Sequence, residues 1–181
     1  MNYTIPKHVQ DVIDAAMKRG IELTLVGGAL RDAVLGGEVS DYDLVYFGCR
    51  DDMYIDIVDL DINLGFKLQH HSPYDGEDGF VFDMRKDDVN IIMYDSKVIN
   101  HVEALIGKFD LNINQFQLEN GIITNDYFDG TTVLINPVRD ALGHTDRLGK
   151  RVQRFAAKYP DLDWSAPLRM ISEDPVEKLF L

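Results

Sequence analysis

The alternation of apolar and polar residues along the chain predicts a mixed α/β protein. Apolar residues recur at helical spacing over 7–19, and Gly20 is a typical helix stop. Shorter runs, several of them rich in Val, Ile and aromatic residues, predict strands. Strands are expected at 21–26, 42–47, 66–71, 80–85, 89–94, 115–118 and 122–124, and helices at 29–35, 51–64, 98–106 and 147–158.

Turn-forming residues divide these elements. Lys86-Asp87-Asp88 predicts a hairpin between its two flanking strands, and Asn120-Gly121 predicts a second one. A loop is expected at 72–79, and a last short helix in the tail after residue 166. The order suggests a mixed α/β part at 1–114, followed by a smaller part at 115–181 that contains a hairpin and is mostly helical.

Composition narrows the class of protein. The 181 residues are 45% hydrophobic, which is enough for a packed core, and contain no apolar run long enough for a membrane span. The N-terminus lacks the pattern of a signal peptide. Cys49 is the single cysteine, so no internal disulfide forms. We therefore expect a cytoplasmic protein with no membrane association.

The net charge of −13 argues against a broad basic surface for nucleic acid. Any RNA must be held by a local patch, and the best candidate is the run of basic residues at 147–158, which equally fits the solvated side of a helix. The acidic run at 51–61 is most simply the solvated face of a helix. Overall acidity suits divalent cations better than phosphate backbones.

Two aspartates carry the clearest chemistry. Asp41 and Asp43 are two residues apart, so on a strand they project to one face with Cα atoms about 6.6 Å apart. Carboxylates placed this way repel each other, and the pKa of at least one should rise unless a cation lies between them. A pair of Mg²⁺ ions fits this spacing.

A glycine turn precedes the aspartates. Gly27 and Gly28 follow an apolar run and open a short predicted helix, and twelve residues separate Gly28 from Asp41. Glycines let a polyphosphate approach the backbone, and the N–H groups at a helix start bind anions. The segment therefore predicts a site for a metal–triphosphate complex.

This stretch resembles the signature of the polymerase-β-type nucleotidyltransferases. Within that superfamily it is similar to the class II CCA-adding enzymes and bacterial poly(A) polymerases, in a compact form that lacks their tRNA-gripping body and tail. The residues on the family pattern are Val26, Gly27, Gly28, Arg31, Asp32, Gly36, Asp41 and Asp43.

Two later segments extend the resemblance. The run 108–114 looks like the family's RRDFTIN motif, with Asp110 and Asn114 among the matching positions. In the family this motif helps to hold the nucleotide sugar and joins the head to the neck. The run 152–158 is similar to the family's neck helix. The resemblance therefore implies a nucleotidyltransferase head with a small mixed sheet flanked by helices, followed by a short helical neck.

The implied activity is metal-dependent transfer of a nucleotide from ATP or CTP to an acceptor hydroxyl, most simply an RNA 3′ end such as that of tRNA. The resemblance assigns Asp41 and Asp43 to Mg²⁺ or Mn²⁺. It assigns nucleotide binding to Gly27, Gly28, Arg31, Asp32, Asp110 and Asn114.

Two departures from the family pattern leave alternatives open. The family has a third acidic residue on a later strand, and the best-placed position here is Asn90, which cannot carry a negative charge. Asp83, Asp88 and Asp95 are other candidates for that role. A second departure is Gly149, which stands where the family's EDxxR nucleobase template has Arg. The two departures suggest a nucleotide-binding module without turnover as an alternative function, and a toxin-like transferase that modifies tRNA or protein is a further one.

Overall fold

The computed structural model describes residues 1–69, 79–136 and 146–172, which form seven strands and six α-helices. The predicted mixed α/β class is confirmed. The helices are α1 Lys7–Met17, α2 Gly28–Leu35, α3 Met53–Asp59, α4 Val102–Ile106, α5 Asp146–Lys158 and α6 Ser165–Ser172. The strands are β1 Thr24–Val26, β2 Tyr42–Gly48, β3 Lys67–Gln69, β4 Phe80–Lys86, β5 Val89–Asp95, β6 Gln117–Glu119 and β7 Ile122–Thr124.

All seven of these strands belong to one mixed sheet. Their order is β3-β4-β5-β2-β1-β6-β7. The central strands β2 and β5 are parallel, and the other pairs among the described strands are antiparallel. The predicted hairpins are present as β4–β5 and β6–β7. Parallel pairing of β2 with β5 requires a crossover, which the chain makes through α3, β3 and β4.

The core lies on one face of the central strands. Leu44, Ile91, Met93 and Met84 are fully buried on this face of β2, β5 and β4, and Val45 and Tyr94 on the opposite face are also buried. Helix α1 buries Val9 and Ala16 at helical spacing. This packing fixes the strand register, which in turn decides which side chains of the opposite face become neighbours.

The chain forms two compact units. The first comprises Met1–Gly107 and Phe116–Thr124, and contains the whole sheet with α1 to α4. The second comprises Lys108–Gln115 and Asn125–Leu181, and its described part contains a 3₁₀ turn at Asn112–Asn114 with α5 and α6. The functional boundary predicted between residues 114 and 115 stays a prediction.

Several predicted elements have different limits, and three of the differences have a clear local cause. Strand β1 begins only at Thr24, because the Ile21 amide still bonds the Ala16 carbonyl at the end of α1. Helix α4 begins late, because Val98 and Ile99 donate backbone bonds to Asp95 in a turn. The helix expected at 51–64 is α3 followed by a π-helical turn at Leu60–Leu64.

No helix within 1–69, 79–136 or 146–172 is long and apolar enough to cross a membrane. The loop expected at 72–79 lies almost wholly outside the described residues, and so does the tail beyond residue 172.

Candidate active site

A glycine-specific turn joins β1 to α2. Gly27 has φ 76° and ψ −129°, a combination that side-chain-bearing residues rarely adopt. It lets the chain leave the sheet at Val26 and enter the helix at Gly28. The Arg31 amide then donates to the Gly27 carbonyl at 3.2 Å, which forms the first helical turn. The turn places the free N–H groups of the α2 start directly after the strand.

Asp43 lies beside that turn. It sits in β2 opposite Val26, the last residue of β1 before the glycines. Asp41 does not lie in the strand as predicted. It ends the loop that precedes β2, and its carboxylate accepts a bond from the Ser40 hydroxyl at 3.1 Å. The strand begins after Asp41 because its first backbone bond is from the Tyr42 amide to Asp88.

The sheet register places a second polar residue next to Asp43. Asn90 on β5 pairs directly with Asp43, and its Nδ2 donates to Asp43 Oδ1 at 2.9 Å. Arg85 on β4 pairs with Asn90 from the other side. Directly paired residues share a face of a sheet, so Asp43, Asn90 and Arg85 form one row across three strands.

Burial is the largest influence on the ionisation of Asp43. It raises the pKa of the Asp43 carboxyl above its usual range, and the negative charge of Asp41 raises it further. The hydrogen bond from Asn90 and the positive charges of Arg31 and Arg85 act in the opposite direction. The carboxyl therefore binds a proton more readily than an exposed aspartate, and a bound cation would favour its charged form.

Arg31 and Asp32 form a buried pair inside α2. Arg31 Nε donates to Asp32 Oδ1 at 2.7 Å, and the two side chains are 8% and 4% exposed. A Cβ atom at Gly28 would lie 3.4 Å from the Arg31 guanidinium, so this cation lies against the glycine turn. Asp32 thus holds Arg31 in place. The nucleotide-binding roles predicted for both residues stay predictions.

The three other candidates for a third acidic group do not pair with Asp43. Asp83 lies on β4 opposite Ile92, and Asp95 lies opposite Gly48 at the far end of β5. The Asp88 carboxylate is 3.1 Å from His8 Nε2. The residue that pairs directly with Asp43 on β5 is therefore Asn90, whose side chain is a neutral amide and not a carboxylate.

The carboxylate oxygens of Asp41 and Asp43 are the ligands that could hold a magnesium or manganese ion together with a nucleotide. Among the described residues, no group of three or more His, Cys, Asp and Glu side chains is placed to bind a metal. The Asp43 carboxylate lies beside the glycine turn, and Asp41 is close enough to Asp43 for its charge to raise the Asp43 pKa. Mg²⁺ typically takes one or two carboxylates and completes its shell with substrate phosphates and water.

The second unit holds its own polar cluster. Asp110 accepts one bond from Asn114 Nδ2 at 3.0 Å and another from the Arg151 guanidinium on α5. The structure thus brings Asp110 and Asn114 together, as their common motif implied. Their predicted role toward the nucleotide sugar stays a prediction. The sequence did not predict the contact of Arg151 with Asp110, because the two residues are 41 positions apart and no local pattern links them.

Asn112 is a further residue that the sequence did not single out. It is 5% exposed, and its Nδ2 donates to the carbonyls of Tyr127 at 3.1 Å and Thr132 at 2.9 Å. Its Oδ1 accepts from the Leu134 amide at 2.9 Å. Asn112 therefore ties the segment after residue 125 to the 3₁₀ turn. Its position inside the 108–114 motif was the available signal.

Solved structures share this fold. A CCA-adding enzyme in complex with CTP is 15% identical, with 96% of this chain and 45% of that chain covered and a TM-score of 0.62. The Bacillus stearothermophilus CCA-adding enzyme with CTP is 17% identical, with 84% and 40% covered and a TM-score of 0.56. A tRNA nucleotidyltransferase with a primer tRNA and an ATP analogue is 19% identical, with 80% and 44% covered and a TM-score of 0.52.

The chain thus shares the fold of part of these structures, and it spans less than half of each of them. No protein-family model matches the sequence, and no curated protein matches it significantly.

Proposed function

We propose that this chain is a metal-dependent nucleotidyltransferase. It would move a nucleoside monophosphate from ATP or CTP to an acceptor hydroxyl and release pyrophosphate. The observation that carries the proposal is the placement of Asp43 opposite Val26, which sets a carboxylate beside the Gly27–Gly28 turn and the start of α2.

Each residue of the turn has a task in this proposal. The Gly27 conformation and the bare Gly28 leave room for phosphates next to the N–H groups of α2, which favour anions. Arg31, held by Asp32, adds positive charge close to the turn. Asp41 and Asp43 would hold Mg²⁺ or Mn²⁺, which neutralises phosphate charge and activates the acceptor hydroxyl.

An RNA 3′ end, such as that of tRNA, is the acceptor that we propose. The similar folds include an enzyme solved with a primer tRNA and others solved with CTP or ATP. The basic residues Lys150, Arg154 and Lys158 on α5 offer a local patch for the RNA backbone in an otherwise acidic chain. Positioning and charge neutralisation would supply most of the rate.

Incorporation of labelled nucleotides tests the proposal. The protein is incubated with bulk tRNA and labelled ATP or CTP, with Mg²⁺ in one series and Mn²⁺ in another. We expect labelled RNA from the wild type, and a loss of at least about 100-fold in Asp41→Ala and Asp43→Ala because the metal donors are removed.

Asp126→Ala is the matched control, since Asp126 is an exposed aspartate of the second unit and is not among the proposed site residues. It should retain full incorporation. An Asp43→Ala protein with wild-type incorporation would overturn the assignment of the site.

A nucleotide-binding module without turnover is the second candidate. The observation that favours it is the amide of Asn90 beside Asp43, where a carboxylate would add a metal donor. Retained binding of fluorescent ATP without any incorporation, under either metal, would support the module instead of the enzyme.

A further inference from the structure

The outer face of the helix after β2 is apolar. Tyr54, Ile55, Val58 and Ile62 are 58%, 71%, 55% and 76% exposed. Tyr54, Val58 and Ile62 follow one another at intervals of four residues, so they form a ridge along α3 and its π-helical extension. Together with Asp59 and Asn63, the four residues line a shallow groove, which we call the α3 groove.

Only part of the acidic run is the solvated face that the sequence predicts: Asp51 and Asp52 are exposed, but the three later aspartates have partners. Asp56 accepts a bond from the Tyr46 hydroxyl at 2.8 Å, and Asp59 pairs with Arg19 at 2.8 Å. Asp61 forms an ion pair with Lys67. These carboxylates anchor the helix to the rest of the first unit, and the apolar side chains are left in solvent.

The anchoring shows that the exposed ridge belongs to a well-packed helix. Met53 and Leu60 on its inner face are fully buried. On an ordinary surface helix the outer face is polar, and a continuous exposed apolar face marks a contact surface. The edge-on contact of Tyr54 with Phe82 of β4, at 5.3 Å between ring centroids, continues this surface toward the sheet.

Charge restricts the kind of partner that fits. Residues 51–66 contain five aspartates and no Lys, Arg or His, and Asp51 and Asp52 are exposed where α3 begins. Asp59 and Asp61 are paired with Arg19 and Lys67. Asp51, Asp52 and Asp56 are therefore the carboxylates that would repel nucleic acid and anionic membranes. A symmetric contact between two copies of the chain would bring two sets of these carboxylates together.

We infer that the α3 groove binds an amphipathic, cationic helix of a partner protein. The apolar side of that helix would cover the Tyr54–Ile62 ridge, and its Lys or Arg side chains would meet Asp51 and Asp52. This is the helix-in-groove mode of recognition, with anchors at helical spacing and charges at the rim.

A model helix tests the inference. The probe is a fluorescein-labelled Leu/Lys peptide of roughly 18 residues with leucines at helical spacing, and binding is followed by fluorescence anisotropy at physiological salt. We expect saturable binding to the full chain. The double variant Ile55→Ser with Ile62→Ser should bind at least about tenfold more weakly, because its anchors are removed.

Matched peptides and variants separate the groove from general attraction of charges. A peptide with Glu in place of Lys, and one with Ser in place of Leu, should both fail to bind. Asp51→Asn with Asp52→Asn should weaken binding and reduce its salt dependence. The control variant Val98→Ser with Leu134→Ser removes two apolar side chains that are 53% and 48% exposed elsewhere, and should bind the peptide like the wild type.

Hydrogen exchange locates the contact. The peptide should slow exchange at residues 53–64, while the double Ile variant keeps the wild-type melting temperature. The inference is overturned if the double Ile variant binds the peptide like the wild type. It is also overturned if the free protein sediments as a dimer that the double Ile variant converts to a monomer, because a second copy would then cover the groove.

Discussion

Asn90 donates its side-chain amide to Asp43 across the parallel β2–β5 pair, at 2.9 Å. The bond orients the partly buried Asp43 carboxylate and adds no negative charge. It also opposes the rise in the pKa of Asp43 that burial causes. The neutral partner thus allows Asp43 to stay in place without a metal, where two adjacent carboxylates would repel each other.

Replacing Asn90 with Asp should therefore make the fold depend on a divalent cation. In EDTA we expect Asn90→Asp to lose about 2 kcal/mol of stability, or about 4–8 °C in melting temperature, through repulsion with Asp43. Saturating Mn²⁺ with ATP should recover most of that loss, because ligands that bind the native state stabilise it. Thermal unfolding with and without Mn²⁺ measures both effects.

The exposed Asn100 supplies the control for this experiment. Asn100→Asp introduces the same charge change away from β2, and Mn²⁺ with ATP should shift its melting temperature by no more than that of the wild type. An equal shift in Asn90→Asp and the wild type would contradict a metal site at Asp43.

Neutralising Asp43 should stabilise the protein in the absence of metal while it removes transfer. The pKa of Asp43 is raised by burial, so at neutral pH the charged form lowers the stability of the fold. Asp43→Asn removes that charge, and its amide oxygen still accepts the bond from Asn90. In EDTA at pH 8 we expect a gain on the order of 1 kcal/mol.

The sign of the pH dependence checks the cause. The pKa of Asp43 is higher in the folded state than in the unfolded state. At low pH the carboxyl is protonated in both states, so Asp43 does not lower the free energy of unfolding there. The destabilisation by the Asp43 charge develops as the pH rises through the pKa of the unfolded state and then through that of the folded state. The melting-temperature difference between Asp43→Asn and the wild type should therefore be near zero at pH 3 and largest at pH 8. A difference that is constant with pH would point to packing instead of ionisation.

Local sequence signals predicted the glycine turn of the candidate site. Gly27 and Gly28 after an apolar run predicted the turn, and the positive φ of Gly27 is the physical reason that glycine is needed there. The β4–β5 hairpin was predicted with the three-residue turn Lys86-Asp87-Asp88, which would pair Arg85 with Val89. In the structure the turn is Asp87-Asp88, and Arg85 pairs with Asn90.

Long-range packing accounts for what the sequence did not predict. The parallel pairing that brings Asn90 to Asp43 spans 47 residues, and no local pattern encodes it. Helix α3 shows the same limit. Its aspartates were predicted to be solvated, and Asp51 and Asp52 are exposed. Asp56 and Asp59 instead bond Tyr46 and Arg19, and the pairing with Arg19, 40 residues away, is a contact that no local pattern signals.

The backbone conformation at Gly27 predicts a large effect of a small substitution. Gly27→Ala must adopt φ 76° and ψ −129° or move the start of α2, and we expect a loss of about 1–3 kcal/mol. Urea unfolding measures the loss. Gly149 provides a control of opposite sign: it lies inside α5 with no atom within 4 Å of an added Cβ, so Gly149→Ala should gain about 0.5–1 kcal/mol. Equal effects of the two substitutions would contradict a strained turn.

Asn112 should be one of the most sensitive positions of the second unit. Asn112→Ala leaves two carbonyls and one amide without their buried partner, at Tyr127, Thr132 and Leu134. We expect a loss of about 2–4 kcal/mol in urea unfolding. Asn125→Ala removes two bonds, the one that its Nδ2 donates to the Asn112 carbonyl and the one that its Oδ1 accepts from the Tyr127 amide. Because the second of these is exposed to solvent, the loss should be smaller, about 1–2 kcal/mol.

Hydrogen exchange should show where that loss arises. The amide of Leu134 donates to Asn112 Oδ1, so it should exchange faster in Asn112→Ala than in Asn125→Ala. Asn112→Asp keeps an acceptor for Leu134 but gives up both donated bonds and buries a charge, so it should be no more stable than Asn112→Ala. If Asn112→Ala unfolds within about 0.5 kcal/mol of the wild type, the segment after residue 125 is held by other contacts and the side chain of Asn112 is not its anchor.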